Sequence, residues 1–240
     1  MRMDAPLHYL HRLHTWLLPW RCLLCGDAGV DGLDLCAACA AELPRNTSCC
    51  ARCALPLATP AASCGLCQRK PPPWDGAWAP FRYGWPLDRL EARYKFGRDL
   101  ASGRTLATLW QRLPPPVARP ALILPVPLHR ARLRQRGYNQ ALELARPLGR
   151  VLDVPVRHDL LQRGRATLAQ TELDALARRR NVRGAFTLRQ GVALPAHVAL
   201  LDDVMTTGAT LAECARVLKR AGVARVDVWA LARAPSPRSR

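Results

Sequence analysis

The chain of 240 residues carries 36 Lys and Arg against 18 Asp and Glu, a formal net charge of +18, and 49% of it is apolar. That apolar content over that length supports one large or two small packed domains and excludes disorder of the whole chain. The charge predicts attraction to polyanions, whether DNA, RNA or phosphorylated small molecules, although all but three of the basic residues are arginine, a skew that codon composition alone can produce.

Residues 1–20 place Leu7, Leu10, Leu13, Trp16, Leu17 and Trp20 on an approximate helical stripe. The low charge contrast of this amphipathic helix favours packing on the module that follows over binding a membrane surface. Asp4, His8, His11, Arg12 and His14 interrupt it, and it has no small-residue cleavage site, so it does not read as an export signal. No apolar stretch reaches the roughly 18 residues that a membrane span needs. The expected location is the cytoplasm, a reducing compartment in which clustered cysteines hold metal more often than disulfides.

Residues 21–70 contain nine of the 10 cysteines. Eight of them repeat one pattern: Cys22-x2-Cys25-x10-Cys36-x2-Cys39, then Cys50-x2-Cys53-x10-Cys64-x2-Cys67, each residue of the second set 28 positions after its counterpart. Two C-x2-C turns present four thiolates to one tetrahedral ion and leave no open position, so two structural zinc sites are expected, a double zinc ribbon. So small a segment has few large apolar residues, and the metal supplies much of its folding free energy. A redox dithiol or an iron-sulfur cluster fits the duplicated spacing less well. Spacing alone leaves open whether ligands pair within or between the units. It also leaves Cys49 as a substitute for Cys50, which is preferred because it preserves the repeat.

Lys70-Pro71-Pro72-Pro73 is a stiff boundary, and a second domain is expected over 71–240. Trp74 and Trp78 stand where they can pack the two modules together. Ala77 to Tyr83 reads as a strand, Leu87 to Phe96 and Leu100 to Leu113 as helices, and Ala121 to Val126 as a short buried strand. Helices follow at Asn139 to Leu152 and Thr171 to Val182, then a strand at Val198 to Leu201, a helix at Thr210 to Ala221 and a strand at Val226 to Leu231. Strands alternating with helices predict an α/β domain with a mainly parallel sheet flanked by helices. Ligands of such sheets sit at the carboxyl ends of strands, which directs attention to the loops after Val126 and Leu201.

The second of these loops reads Asp202, Asp203, Val204, Met205, Thr206, Thr207, Gly208, Ala209, Thr210 and runs straight into a helix. Hydroxyls and backbone N–H groups at a helix N-terminus suit a phosphate dianion. The two carboxylates suit sugar hydroxyls, or a divalent cation shared with a pyrophosphate. Phosphate, diol and metal side by side describe a phosphoribosyl ligand; the plainer alternative is a strand-to-helix turn in which Asp and Thr only cap. A Walker A loop is excluded because Gly-Lys-Ser/Thr is missing. The loop after Val126 holds His129, Arg130, Arg132, Arg134 and Arg136, whose guanidinium groups match a diphosphate. From His129 to Arg183 there are 13 arginines against five acids, more charge than one small ligand requires. Lys95, one of three lysines, also reads as an exposed helix-end residue, and Cys214 as a buried thiol.

Val198 to Thr210 resembles the phosphoribosyl pyrophosphate (PRPP) motif of type I phosphoribosyltransferases. More widely the chain is similar to the ComF family of competence-related proteins. The resemblance rests on the cysteine module, the PRPP motif, Tyr94-Lys95-Phe96-Gly97-Arg98-Asp99, Pro125-Val126-Pro127-Leu128, Arg134-Gln135-Arg136-Gly137-Tyr138-Asn139-Gln140, Arg163, Gln170-x2-Leu173 and Arg178-x2-Asn181-Val182-x-Gly184-Ala185-Phe186. It covers Cys22 to Arg233 and implies a type I phosphoribosyltransferase-like fold. Asp202 and Asp203 are then the catalytic, ribose-holding acids, Val204 to Thr210 the phosphate loop, and Arg130, Arg134 and Arg136 the diphosphate contacts, with Mg²⁺ bound alongside PRPP.

The resemblance further implies a role in DNA uptake and natural transformation on single-stranded DNA, with the PRPP site kept for sensing or for a reaction. A genuine phosphoribosyltransferase with an unidentified acceptor is a second reading. A zinc-ribbon module that docks a helicase or another competence protein is a third. No residue stands out in the sequence as an acceptor-recognising group, and only Tyr138 among the aromatics lies within the densest arginine run.

Overall fold

The computed structural model describes residues 19–113, 118–165 and 180–235. In chain order these contain two short helices, α1 (Ala37–Ala41) and α2 (Gly65–Arg69), strands β1 (Gly76–Trp78) and β2 (Phe81–Arg82), and helices α3 (Leu87–Phe96) and α4 (Leu100–Gln111). Strand β3 (Leu122–Pro125), helices α5 (Arg130–Arg136) and α6 (Gln140–Leu152), and strands β4 (Leu161–Arg163), β5 (Phe186–Leu188) and β6 (His197–Met205) follow. Helix α7 (Ala209–Arg220) and strand β7 (Arg225–Arg233) complete the order.

Strands β3, β6 and β7 are buried along most of their length, so their sequences are continuous apolar runs rather than alternating ones. They form a parallel sheet in the order β1-β7-β6-β3, with β2 also paired to β7. Leu122 lies opposite Val198, and β6 matches β7 from His197 opposite Arg225 to Met205 opposite Arg233. The strand expected over Ala77 to Tyr83 is two pieces separated at Ala79 and Pro80. Proline has no amide hydrogen for the ladder, and the Pro80 carbonyl accepts instead from the Asn46 amide at 2.8 Å.

Pleating sends alternate residues to opposite faces. Val198, Leu200, Val226, Val228 and Ala230 build one core with Leu211, Cys214, Ala215 and Leu218 of α7. Ala199, Leu201, Trp229 and Leu231 build the other with α3, α4 and α6. In that second core the Trp78 ring meets Trp229 edge-on at 5.3 Å and Trp110 at 5.6 Å. Trp78 therefore packs within the sheet domain, whereas Trp74 bridges to the cysteine segment through its indole N–H, which donates to the Arg52 carbonyl at 2.7 Å. Cys50, Cys53, Cys64 and Cys67 belong to the first core, while Cys22 and Cys36, with Leu33, Leu35 and Leu43, belong to the second. The duplicated units thus sit against opposite faces of one sheet.

Three features were not expected from the sequence: helix α5 in the arginine-rich loop, the antiparallel β4–β5 pair, and the run of β6 through both acids to Met205. The helix expected over Leu7 to Trp20 falls outside the described residues except at positions 19 and 20. That expected over Thr171 to Val182 falls outside them at 171–179.

Candidate functional site

The four thiols of each cysteine set, Cys22, Cys25, Cys36 and Cys39, and Cys50, Cys53, Cys64 and Cys67, lie within 4.8 Å of one another. Pairing is therefore within each unit, and the second set takes Cys50 rather than Cys49. Zn–S bonds of about 2.3 Å in a tetrahedron place sulfurs about 3.8 Å apart. The Cys25 sulfur lies 3.6 Å from that of Cys36 and 3.7 Å from that of Cys39, and Cys53 lies 3.8 Å from Cys64. The two four-cysteine sites fit two structural zinc ions. Burial opposes ionisation of Cys22, yet the amides of Cys36, Cys25 and Leu24 hold its thiol down to about 6. Cys64 is likewise held down to about 7, against burial, by the Cys67 amide and thiol and the Leu66 amide. Each site thus contains a thiol inclined to the thiolate that zinc requires.

Strand β6 delivers the two acids. The Asp203 amide donates to Asp202 Oδ1 at 3.0 Å, and the Val204 amide to Asp203 Oδ1 at 2.6 Å. Asp202 continues the α7-facing side of the pleat and Asp203 the side facing α3. Asp202 interacts electrostatically with Arg163 and Cys214, and Asp203 meets Lys95 Nζ at 3.1 Å. Lys95 is therefore not an exposed helix-end residue. It lies one turn after Glu91 on α3 and also contacts Glu91 Oε2 at 3.0 Å, where the Glu91 side chain is 1% exposed.

One ammonium thus serves three carboxylates. Burial, then the charge of Asp203, push Glu91 up to about 7 against the pull of Lys95. The same two causes raise Asp202 well above the usual carboxylate range. Burial works against the charged form of Lys95, but Asp203 and Glu91 outweigh it and push its ammonium upward. Glu91 escaped the sequence reading. The clue available there was an acid four residues before one of only three lysines.

The strand gives way to a loop at Thr206. Thr207 Oγ1 accepts from the Ala209 amide at 3.3 Å, and Gly208, at φ 70°, caps α7. Both backbone and surroundings demand glycine there, because a Cβ would stand 2.8 Å from Cη2 of Trp74. Arg233, 8% exposed, grips the loop from behind. Its Nε donates to the Cys53 carbonyl at 3.0 Å, and its Nη1 to the Met205 carbonyl at 3.0 Å and to those of Thr206 and Ala234. The second cysteine unit and the loop preceding α7 are thereby held by one side chain. Arg233 also escaped the sequence reading, since its partner Cys53 is 180 positions away.

Helix α5 is capped by His129, whose Nδ1 accepts from the Ala131 amide, and ends at Gly137 in the left-handed region, φ 90°. Arg130 and Arg134 are exposed. Arg136 is drawn toward the acids, with its charge acting on Asp203 and Glu91 and its guanidinium 6.0 Å from the Phe96 ring centre. Asn139 caps α6 through the Ala141 amide at 3.1 Å and donates to the Val126 carbonyl at 3.1 Å, a loop-fixing role. Arg163 covers the Phe186 ring at 5.3 Å, and Arg165 donates to the carbonyls of Asn181 and Arg183. Gln170, Leu173 and Arg178 lie outside the described residues.

Residues 13–68 match the double zinc ribbon domain family. Over 224 residues the chain is 37% identical to competence protein F of Haemophilus influenzae, covering 90% of this chain and 97% of that protein. It is 36% identical over 234 residues to DNA utilization protein YhgH of Escherichia coli O157:H7, covering 95% and 96%. Competence protein ComFC of Streptococcus pneumoniae is 26% identical over 154 residues, 64% of this chain and 66% of that protein. Among the described residues no helix is long and apolar enough to cross a membrane.

Proposed function

The chain belongs to the ComF family, and on that premise we propose that it acts in DNA uptake, binding PRPP with Mg²⁺ at β6 and the loop before α7 and handling single-stranded DNA in the cytoplasm. The observation that supports PRPP most directly is the succession of two acids near the end of a buried parallel strand, a glycine-capped turn of threonines, and the N-terminus of a twelve-residue helix. The positive end of the α7 dipole and the Thr206 to Thr210 segment suit the 5-phosphate. A ribose over the end of β6 meets Asp203 from one side and Asp202 from the other.

Asp202 and Asp203 would hold Mg²⁺, which would supply charge stabilisation to a departing diphosphate. The chain's own contribution is Lys95, which holds Asp203 in place before the ligand arrives, and Arg136, which adds positive charge on the same side. Arg130 and Arg134 are free to turn toward the diphosphate from α5. Titration calorimetry with PRPP and Mg²⁺ should show saturable binding that Asp202→Asn plus Asp203→Asn removes. Absence of heat from the folded, zinc-loaded parent protein would overturn the PRPP assignment. Pyrophosphate release measured with an acceptor panel then separates a transferase from a sensor.

A further inference from the structure

We infer that Phe96 and Arg136 form a stacking platform for one unpaired base of single-stranded DNA, set beside the acids that Lys95 holds. This rests on the single-strand part of the function proposed above and adds where a base is held. Phe96 is the last residue of α3 and is 70% exposed, the most exposed large apolar side chain among the described residues. Packing does not account for a ring placed so far into solvent. Its chain neighbour, Lys95, reaches Asp203 at 3.1 Å, so the end of α3 that carries the ring lies beside the acids. The Arg136 guanidinium lies 6.0 Å from the ring centre, and its charge also acts on Asp203 and Glu91.

The platform is preorganised. The rings of Tyr94 and Tyr138 stack at 5.2 Å with 22° between their planes, and the Tyr138 hydroxyl donates to the Tyr94 carbonyl. Arg98 Nη2 donates to the Gln135 carbonyl at 2.6 Å. The end of α3 that carries Phe96 is thus tied to the end of α5 that carries the arginines. A phenyl face accepts any base, because every base has a π-face, whereas a base inside a duplex has neither face to offer. Arg130, Arg132, Arg134 and Arg136 on the adjacent α5 match the phosphodiesters of a strand and exceed what a free heterocycle would use.

The test compares a thymine oligonucleotide with an abasic strand of equal length, by fluorescence anisotropy at fixed salt, using the full zinc-loaded chain. The parent protein should bind the base-bearing strand about tenfold more tightly than the abasic one. Phe96→Ala should lower that ratio to within about twofold while leaving the abasic affinity in place, and Phe96→Trp should keep the ratio. Thermal melting of both variants should match the parent, as expected for an exposed ring. A Phe96→Ala protein that melts normally yet keeps the tenfold ratio overturns the platform. Equal binding of the two strands by the parent also overturns it while sparing the electrostatic single-strand reading, and no binding of either strand overturns both.

Discussion

At the scale of single residues, the site is governed by the burial of its carboxylates. Lys95 faces Glu91 and Asp203 directly, Asp202 lies on the other face of the strand, and the charge of Arg136 acts on Glu91 and Asp203 while that of Arg163 acts on Asp202. Folding raises Glu91 from 4.5 to about 7, so between those values the folded chain binds more protons than the unfolded chain, and stability falls as pH rises. Asp202, also raised by burial and by Asp203, acts in the same direction. Denaturation midpoints of the ligand-free protein should therefore drop between pH 5 and pH 7.5, with Glu91 accounting for up to about 3 kcal/mol. Glu91→Gln, which cannot ionise, should flatten that slope. An unchanged slope would mean that Glu91 is charged throughout. Little of this was legible in sequence, where Lys95 also read as a helix-end lysine and Glu91 left only its four-residue spacing, because the charge of a site depends on what the fold brings beside it.

At the scale of elements, legibility followed burial. Strands β3, β6 and β7 and helices α3, α4, α6 and α7 could be placed from sequence because each buries a long apolar run or stripe. Helix α5 could not, since it buries no residue and depends on its His129 and Gly137 ends. Strands β4 and β5, three residues each, are too short to show a period. The end of β6 was hidden by its composition: paired aspartates read as loop, yet Asp202 and Val204 keep the ladder with Ala230 and Ala232. Pairing fixes the acids on a rigid strand and leaves adaptation to the short turn at Gly208. Gly208→Ala should cost about 1–3 kcal/mol in urea unfolding, from its positive φ and the Trp74 contact, and should weaken PRPP binding about tenfold or more. Full PRPP affinity in a destabilised Gly208→Ala protein would separate the turn from the ligand.

At the scale of the whole molecule, the cysteine units are structural partners of the sheet rather than appendages. Their duplication was plain in the sequence, whereas their placement on opposite faces was not, because it depends on Cys50 and Cys22 joining different cores. Metal analysis should give two zinc per chain. Chelation should abolish the near-ultraviolet dichroism of the Trp78, Trp110 and Trp229 cluster together with the cysteine segment, in one cooperative loss. Survival of the tryptophan signal after complete zinc removal would show that the cores are energetically separate.

The position of β7 has a consequence in time. This strand, last among the described elements, pairs with β1, β2 and β6, and at its end Arg233 closes on Cys53. During synthesis both cysteine units leave the ribosome well before the strand that completes the sheet beneath them. The ligands for both metals are therefore in place before the sheet can assemble. A nascent chain stopped short of Arg233 keeps the ligands for both metals but lacks the side chain that ties the second unit, through the Cys53 carbonyl, to the end of the sheet.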